Sequence, residues 1–589
     1  MTRDRRRPWP VAAVNGSVAI AVLVLVAVLA LVVQPPTPPG IAAFAPQASK
    51  PITKAPLAQS AVFGNGAGQC SAGQVCAGVA GQPKPTARAL PTPRPTPQIG
   101  YVPSALQCYT WPDGSVTQTF DPQSPPCIAS WDDRHGNGGA TAPGITATEI
   151  RVAFPNDNTS SFATWPALSP IVDFFNTHFE LYGRKIRIVP FISAQANGQA
   201  LGTSVDNPTS QHADAEQITQ LKVFASTDFV DPVPHSWSLP VFRDVLTRHK
   251  IISVSGGANS PYGDVNGFAA HAPYEWTYYP TIDPLMANVA TMTCRQLVGR
   301  KAIHSQDTLP GGLASRTRKF AVLLPTDAML GGPPPGLSTM LGILDGCGVH
   351  NPRIVRYAFD SQSAAALSAE FNQMHQQGVT SLLYFPYVGN GSNTPLSVAA
   401  QVNYDPEWVT IGWNKYLTEV QLGNPETETK AVFGVGAWNK MPDLALEFWY
   451  QSYLQAGGRP DVVAAGALED GRAFYNEMLL LASAVQMAGP DLTPESFARA
   501  LANSSFPDPG AGGPPSYQGG IGFGPGQTAM IDDYVGFWLD TRETWAQLGY
   551  HDANYGLNSS KASCYVGLGR RWQQSSWPAT DAFYTPGCR

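Results

Sequence analysis

Three segments in the middle of the chain decide the fold. Phe320–Pro325 reads FAVLLP, Ala364–Gln377 reads AAALSAEFNQMHQQ, and Ser381–Val388 reads SLLYFPYV. The first and third are short apolar runs of the kind that form strands buried on both faces. The middle segment has a mixed, helix-forming composition. Wholly apolar strands that alternate with helices are typical of a parallel sheet with helices packed on both sides.

The middle segment shows how clear the helical pattern is. Leu367, Phe371 and Met374 recur at the spacing i, i+4 and i+7, which places them on one face of a helix. Gly378 follows at a position where helices commonly end, since glycine adopts the left-handed conformation of a C-cap without steric cost. The pattern therefore predicts an amphipathic helix over Ala364–Gln377 whose apolar face covers a sheet.

The same alternation occurs in two separate runs of the chain. The predicted elements are, in order, strand Glu149–Pro155, helix Ala167–Leu181, strand Lys185–Ile192, helix Ala213–Leu221, strand Lys222–Ala225, helix Leu239–Thr247 and strand Ile251–Ser255, and then strand Phe320–Pro325, helix Gly336–Asp345, strand Arg353–Phe359, helix Ala364–Gln377, strand Ser381–Val388, helix Leu396–Val402 and strand Trp408–Trp413. Two runs predict an α/β protein with two doubly wound parallel-sheet lobes. The Gly- and Pro-containing insertion His304–Arg318 is predicted to be a surface loop.

Composition excludes several classes of protein. The 589 residues carry a net charge of −6 with only 14% charged residues, which does not suit a nucleic-acid binder. The 56 glycines and 54 prolines are above the usual share, but 43% hydrophobic residues and 14 tryptophans still allow a large core. A wholly disordered chain, a collagen and a polytopic membrane protein are therefore excluded.

The N-terminus indicates export. Residues 3–7 contain four arginines, and Val18–Val33 consists only of Val, Ala, Ile and Leu. Positive charge before an apolar run keeps the N-terminus in the cytoplasm, so the chain after residue 34 is expected outside. We expect an uncleaved membrane anchor over 1–34. A cleaved signal is the alternative, with Ala43-Phe44-Ala45 as the only small-residue site near the run.

Two segments separate this anchor from the first predicted strand. Residues 35–100 are rich in Pro, Ala, Gly and Thr and predict an extended, semi-rigid linker. Residues 101–147 contain two cysteines and many turn residues and predict a small cap segment pinned by a disulfide.

The even number of cysteines agrees with an oxidising compartment. No two of the eight form a C-x-x-C motif, so no metal site is expected. Local spacing suggests the pairs Cys70–Cys76, Cys108–Cys127 and Cys564–Cys588. Right-handed crossovers can place the helices before and after strand Phe320–Pro325 side by side, which predicts a Cys294–Cys347 bridge.

Several segments, in the right order, resemble the type I periplasmic solute-binding proteins of ABC transporters, in the leucine/isoleucine/valine-binding branch. The resemblance covers about 148–545 and rests on the following segments: Gly144–Val152 (GITATEIRV), Ile251–Ala258 (IISVSGGA), Phe474–Gly489, Thr493–Phe497 (TPESF) and Tyr517–Phe523 (YQGGIGF) with Gly526. It implies two lobes joined by three hinge crossings, with lobe I over 148–278 and 441–518 and lobe II over 279–440 and 519–589.

The resemblance also implies a function and its residues. A small polar ligand, such as an amino acid, amide or acid, would be held in the interlobe cleft by hinge closure and delivered to ABC permease subunits. No cofactor, metal or nucleic acid would be involved, and the protein would act as a monomer. The ligand-binding residues carried over from the family pattern are Ser226, Thr227, Ser255, Gly256, Gly257, Asp327, Tyr387, Trp413 and Asn414.

This chain departs from the family pattern at two places in the second lobe. Met329 stands where relatives often place a tyrosine over the ligand. Trp413 and Asn414 stand where amino-acid binders place an acidic residue for the ligand's ammonium group. An amide accepts a hydrogen bond but supplies no charge, which counts against an α-amino-acid ligand.

Other functions stay open at this point. A surface sensor of the same fold, or a degenerate binder that has lost its ligand, would fit the same pattern. An exported hydrolase is disfavoured, because the chain contains neither a G-x-S-x-G elbow nor an H-E-x-x-H motif. We therefore expect a protein that is not an enzyme.

Overall fold

The computed structural model describes most of the chain beyond the predicted linker. The described residues are 108–132, 134, 136–156, 161–193, 208–227, 240–255, 270–278, 280–326, 334, 336–358, 360–386, 393–412, 425–437, 444–460, 467–507, 519–524, 527–544, 561–568 and 570–584. The predicted anchor, the linker and the Cys70–Cys76 pair lie outside them. Within these ranges no helix combines the length and the apolar character needed to cross a membrane.

Strands and helices alternate along the described chain. The strands are β1 Tyr109–Thr110, β2 Val116–Thr117, β3 Glu149–Asn156, β4 Lys185–Ile192, β5 Ala225–Thr227, β6 Ile252–Ser255, β7 Glu275–Thr277, β8 Phe320–Pro325, β9 Arg353–Tyr357, β10 Ser381–Tyr384, β11 Glu407–Gly412, β12 Val432–Gly436, β13 Tyr534–Thr544, β14 Lys561–Tyr565 and β15 Arg571–Trp572. The α-helices are α1 Ser161–His178, α2 Pro208–Gln220, α3 Pro240–Arg248, α4 Ile282–Met292, α5 Leu337–Gly346, α6 Ser361–Gln376, α7 Pro395–Gln401, α8 Glu426–Thr429, α9 Phe448–Gln455, α10 Ala467–Ala488 and α11 Pro494–Asn503.

The first sheet is parallel throughout and has the order β4-β3-β5-β6-β7. Alternate side chains of β3 enter two different cores. Ile150, Val152 and Phe154 pack with α1 and α10, whereas Ala153 packs with α2 and α3. Because successive side chains of a strand point to opposite faces, helices cover both faces of this sheet.

The second sheet has the order β14-β13-β12-β11-β10-β8-β9, with β15 paired to β13. Strands β8 to β12 are parallel, and β13 joins β12 antiparallel. Phe320, Val322 and Leu324 of β8 pack with α4 and α5, and Ala321 and Leu323 pack with α6 and α7. The predicted α/β class with two doubly wound sheets is therefore confirmed.

The chain passes between the two sheets three times. It leaves the first sheet after β7, returns after β12 to helices α9, α10 and α11, and leaves again after α11 to form β13. The first and third crossings run side by side: the Met530 N–H donates to the Thr277 carbonyl at 2.8 Å, and the Ile531 N–H donates to the Tyr278 carbonyl at 3.2 Å. The exact lobe boundaries given above stay predictions.

Most predicted elements differ in extent from the structure, and among the larger differences are the start of the second helix, at Pro208 instead of Ala213, and the end of β10, at Tyr384 instead of Val388. The first helix begins at Ser161 instead of Ala167. The third strand of the first lobe begins at Ala225 instead of Lys222, because Lys222 adopts a left-handed conformation with φ of 51° directly after α2. A residue in that conformation cannot continue an extended strand, so pairing starts only after it.

The structure contains two of the predicted disulfide pairings in full. Cys108 is joined to Cys127 and Cys294 to Cys347, each with the two Cα atoms 5.7 Å apart. The second bridge links the segment after α4 to the end of α5, and these helices pack side by side as the crossover argument predicts. Cys564 is disulfide-bonded, and Cys588 lies outside the described part of the chain.

Candidate ligand-binding site

The carboxyl ends of the first-lobe strands meet at one edge of the sheet. Strand β5 ends at Thr227 and β6 at Ser255, and the register pairs Thr227 with Val254 and Ser255 with Thr277. In open parallel sheets, ligands bind outside this edge, where strands give way to loops and helices. The residues predicted from the family pattern in this lobe therefore lie at or directly beyond the carboxyl edge.

Ser226 and Thr227 are both fully buried. The Ser226 hydroxyl donates to the Thr227 carbonyl at 3.1 Å, and the Thr227 hydroxyl donates to the Ala153 carbonyl on the neighbouring strand at 3.2 Å. A hydroxyl that donates its proton keeps lone pairs that can accept one. Both side chains are thus held in place by the sheet, and their contact with a ligand stays a prediction.

The remaining predicted residues of this lobe follow β6. Ser255 is the last residue of that strand, and Gly256 and Gly257 come directly after it, outside the described residues. The predicted site residues of the second lobe, Asp327, Tyr387, Trp413 and Asn414, also lie outside them.

The structure nevertheless shows that the strands preceding those second-lobe residues are neighbours. Strand β10 lies between β8 and β11, and all three are parallel and in register. Asp327, Tyr387 and Trp413 follow these three strands within a few residues of their carboxyl ends. Segments that leave the same edge of adjacent strands begin about 5 Å apart.

The carboxyl end of β10 is aromatic. Tyr384, the last residue of β10, is buried and packs edge-on against Trp408 with ring centroids 5.3 Å apart. Burial raises the pKa of the Tyr384 hydroxyl far above its usual value, so the phenol is neutral at physiological pH. This edge of the second lobe therefore contributes no phenolate charge at that position.

Four buried polar residues of the first lobe were not predicted from the sequence. Ser193 directly follows β4, and its hydroxyl donates to a carboxylate oxygen of Asp214 on α2 at 2.7 Å, with both residues fully buried. On α10, Asn476 and Glu477 are also fully buried. Glu477 stands directly before the apolar run Met478–Ala482, and this juxtaposition is a signal that the sequence contained.

A fully buried ion pair lies at the opposite, amino-terminal edge of the second sheet. Arg318 contacts Glu407, the first residue of β11, through two hydrogen bonds of 2.7 and 2.8 Å. Ser381, the first residue of β10, donates to the same carboxylate at 2.5 Å. Asp581 approaches Arg318 and accepts from His304 at 3.0 Å. We call Arg318, Glu407, Ser381, Asp581 and His304 the charged cluster.

The charged cluster corrects one prediction. The insertion His304–Arg318 is not simply a surface loop, since His304, Ser305, Leu313 and Arg318 are buried. Burial alone would raise the pKa of the Asp581 carboxyl, but the hydrogen bond from His304 and the charge of Arg318 lower it. The charged cluster lies at the amino-terminal edge of the sheet and its members pair with one another, which favours a role in holding the insertion in place.

The described ranges contain no group of three or more His, Cys, Asp or Glu side chains placed to hold a metal ion.

Comparison with known proteins gives similarity in structure only. No protein-family model and no curated protein matches the chain. Among solved structures, an ABC transporter substrate-binding protein from Desulfitobacterium hafniense is 12% identical, with a TM-score of 0.43, and the match covers 67% of this chain and 98% of that one.

Two further solved structures are similar to this chain. A solute-binding protein of an ABC transporter from Rhodopseudomonas palustris, in complex with 3,4-dihydroxybenzoic acid, is 12% identical with a TM-score of 0.44, over 74% of this chain and 99% of that one. A fatty acid ABC transporter substrate-binding protein from Thermomonospora curvata is 12% identical with a TM-score of 0.43, over 80% and 100%. Similarity at this level assigns no function to this chain.

Proposed function

We propose that this protein is an extracytoplasmic solute-binding protein that captures a small polar ligand between its two lobes and delivers it to an ABC permease. The paired first and third crossings carry the proposal. Two parallel backbone segments joined by three hydrogen bonds, from Thr277 to Thr528, Met530 to Thr277 and Ile531 to Tyr278, form a narrow connection between two separately packed sheets. Such a connection permits hinge closure, which a ligand favours by contacting both lobes only in the closed state.

The proposed ligand is polar and is recognised mainly by neutral groups. Ser226 and Thr227, which are buried at the first-lobe edge, would offer hydroxyl oxygens, and Ser255, Gly256 and Gly257 would offer hydroxyl and backbone donors. Strand ends followed by loops and helix N-termini provide N–H groups that suit an anionic ligand group. An amide or a small acid fits this set better than an α-amino acid, because Asn414 supplies no negative charge for an ammonium group.

The remaining second-lobe residues complete the proposed site. Asp327 would accept hydrogen bonds from the ligand, while Tyr387 and Trp413 would pack against its apolar part. The N-terminal Arg-rich segment and the apolar run Val18–Val33 would anchor the protein to the membrane that carries the permease, with the residues 35–100 as a spacer. No chemical step is proposed, so the protein is not an enzyme in this assignment.

The experiment is a thermal-shift screen of the full-length protein, with its disulfides intact, against amino acids, amides and small aromatic acids. A ligand present at 100 times its dissociation constant stabilises the folded state by about 2.7 kcal/mol, which raises Tm by a few degrees. A compound that raises Tm is then tested on Thr227→Val, in which the hydroxyl of a buried edge residue is replaced by a methyl group of similar size.

Thr177→Val is the matched control. Thr177 also donates its hydroxyl to a backbone carbonyl, that of Asp173 at 2.7 Å, but it is exposed on α1. We expect Thr227→Val to abolish the ligand-induced rise in Tm and Thr177→Val to retain it. The proposal is rejected if no compound of the three classes raises Tm, or if both variants respond to the ligand like the unmodified protein.

A further inference from the structure

The N-terminal cap segment reaches two of the three crossings through one side chain. Gln123 is 2% exposed, and its Nε2 donates to the Gly519 carbonyl of the third crossing at 2.7 Å. Its Oε1 accepts a hydrogen bond from the hydroxyl of Tyr278 in the first crossing. A single amide therefore joins both crossings, and it uses its donor for one and its acceptor for the other.

A rigid turn fixes the direction of this side chain. The Asp121 carboxylate accepts the Gln123 N–H at 2.9 Å, and the Ser124 N–H donates to the Asp121 carbonyl at 3.0 Å. The second carboxylate oxygen of Asp121 accepts the Tyr475 hydroxyl on α10 at 2.9 Å. Asp121 is fully buried, so the turn is attached to the first-lobe core by a charge-assisted hydrogen bond.

Further contacts of the described cap residues are with the first lobe. The Gln118 side chain, also fully buried, donates to the His178 carbonyl at 2.8 Å and accepts from Gln486 on α10 at 3.1 Å. The Cys108–Cys127 bridge closes the loop that contains both glutamines. The cap segment is thus fixed to the first lobe through Gln118 and Asp121 and contacts the crossings through Gln123.

We propose that Gln123 is a hinge-positioning residue and that residues 108–127 act as a collar around the hinge. The collar holds Tyr278 and Gly519 at a fixed separation, and both residues belong to backbones that must rotate when two lobes close. A hydrogen bond made in one hinge position and strained or broken in another shifts the equilibrium between those positions. The collar would therefore set how readily the lobes move, independently of which ligand they hold.

Hydrogen exchange of the full-length protein without any ligand tests this inference. The reporter amides are those of Thr277, Met530 and Ile531, which are hydrogen-bonded between the two crossings. Gln123→Ala removes both collar contacts, and we expect these amides to exchange at least about tenfold faster. Amides of β3 and β8, in the interior of the two sheets, should keep their rates.

Gln118→Ala is the matched control, because it removes an equally buried glutamine from the same segment without touching a crossing. It should accelerate exchange in the cap segment and leave the hinge amides unchanged. Tyr278→Phe is the second test if Gln123→Ala does not fold, since it deletes one hydroxyl and should speed hinge exchange about fivefold. The inference is overturned if the folded Gln123 or Tyr278 variant leaves hinge exchange unchanged, or if Gln118→Ala accelerates it equally.

The result does not depend on the proposed ligand. A failed ligand screen with accelerated hinge exchange would reject the transport function and keep the collar. A successful screen with unchanged hinge exchange would support the transport function and reject the collar.

Discussion

The two lobes hold their added segments by different chemistry. The first lobe docks the cap segment through neutral hydrogen bonds of the buried Gln118 and Gln123 and through a charge-assisted hydrogen bond of Asp121. The second lobe docks its insertion and its C-terminal segment through the charged cluster, in which Arg318 and Glu407 have no exposed side-chain surface. Both arrangements pair buried polar groups, but they differ in how much stability is lost when one partner is removed.

The difference follows from the cost of an unpaired group. A neutral donor or acceptor left alone in the interior costs about 1–3 kcal/mol, whereas an uncompensated buried charge costs more. A buried ion pair need not add stability over an apolar core, but removing one of its partners is strongly destabilising. We therefore expect the second lobe to be the more sensitive to single substitutions and to pH.

The largest effect is expected from Arg318→Ala. This change leaves the Glu407 carboxylate buried without its cation, and we expect a loss of about 3–5 kcal/mol in the free energy of unfolding. Gln118→Ala in the first lobe should cost about 1–3 kcal/mol. Equilibrium denaturation with urea measures both.

The control for the charge change is Arg316→Ala. Arg316 is two residues from Arg318, is exposed, and donates to the Gly311 carbonyl at 2.9 Å. It should change the free energy of unfolding by less than about 1 kcal/mol. Equal losses for Arg318→Ala and Gln118→Ala would remove the proposed distinction between the lobes.

The next effect is a pH dependence located in the second lobe. Burial, reinforced by the neighbouring Asp405 carboxyl, raises the pKa of Glu428 from 4.5 to about 9. Between these values the folded protein binds more protons than the unfolded chain, so stability falls as pH rises, by at most about 1.4 kcal/mol per pH unit. Glu428→Gln should remove this slope and make the protein more stable than the unmodified chain at pH 8.

The same helix provides the control. Glu426 is exposed and pairs with Lys430 at 3.1 Å. Because surface ion pairs contribute little to stability, Glu426→Gln should leave the slope between about pH 5 and about pH 9 in place. Urea denaturation at several pH values measures the slope for each variant. An identical slope in Glu428→Gln would show that the carboxyl is ionised in the folded protein.

The smallest expected difference separates the two described bridges. Cys294–Cys347 closes a loop of 53 residues and Cys108–Cys127 one of 19. In the chain-entropy description a longer loop gains more from closure, so replacing both cysteines of the longer bridge by serine should cost about 1 kcal/mol more. Thermal and urea unfolding of the two double variants test this order. The reverse order would indicate that native contacts of the collar outweigh loop entropy.

Local patterns predicted the fold well. The burial of β8 on both faces, with Phe320, Val322 and Leu324 in one core and Ala321 and Leu323 in the other, agrees with the wholly apolar run FAVLLP. The Cys294–Cys347 bridge followed from the handedness of the crossover. Boundaries were less predictable, as at β5, because a single left-handed residue, Lys222, shifts the start of a strand.

The candidate site was predictable in its position and not in its contacts. The sequence places Ser226 and Thr227 directly after one predicted strand and Ser255 at the end of the next, and parallel strands bring such residues to one edge. The pairing of Ser193 with Asp214 depends on how α2 lies against β4, which no local pattern reports. Ser226 and Thr227 are therefore located by the structure, while their role as ligand-binding residues is a prediction from the family pattern.

The sequence by itself determined the order of strands and helices and the two-sheet class, because hydrophobic spacing is a local property of the chain. Tertiary structure alone decided which buried polar groups meet. Gln123 and Gly519 are 396 residues apart, and Arg318 and Asp581 are 263 apart. A buried polar group must find a partner, but the packed lobes determine which one comes within hydrogen-bonding distance.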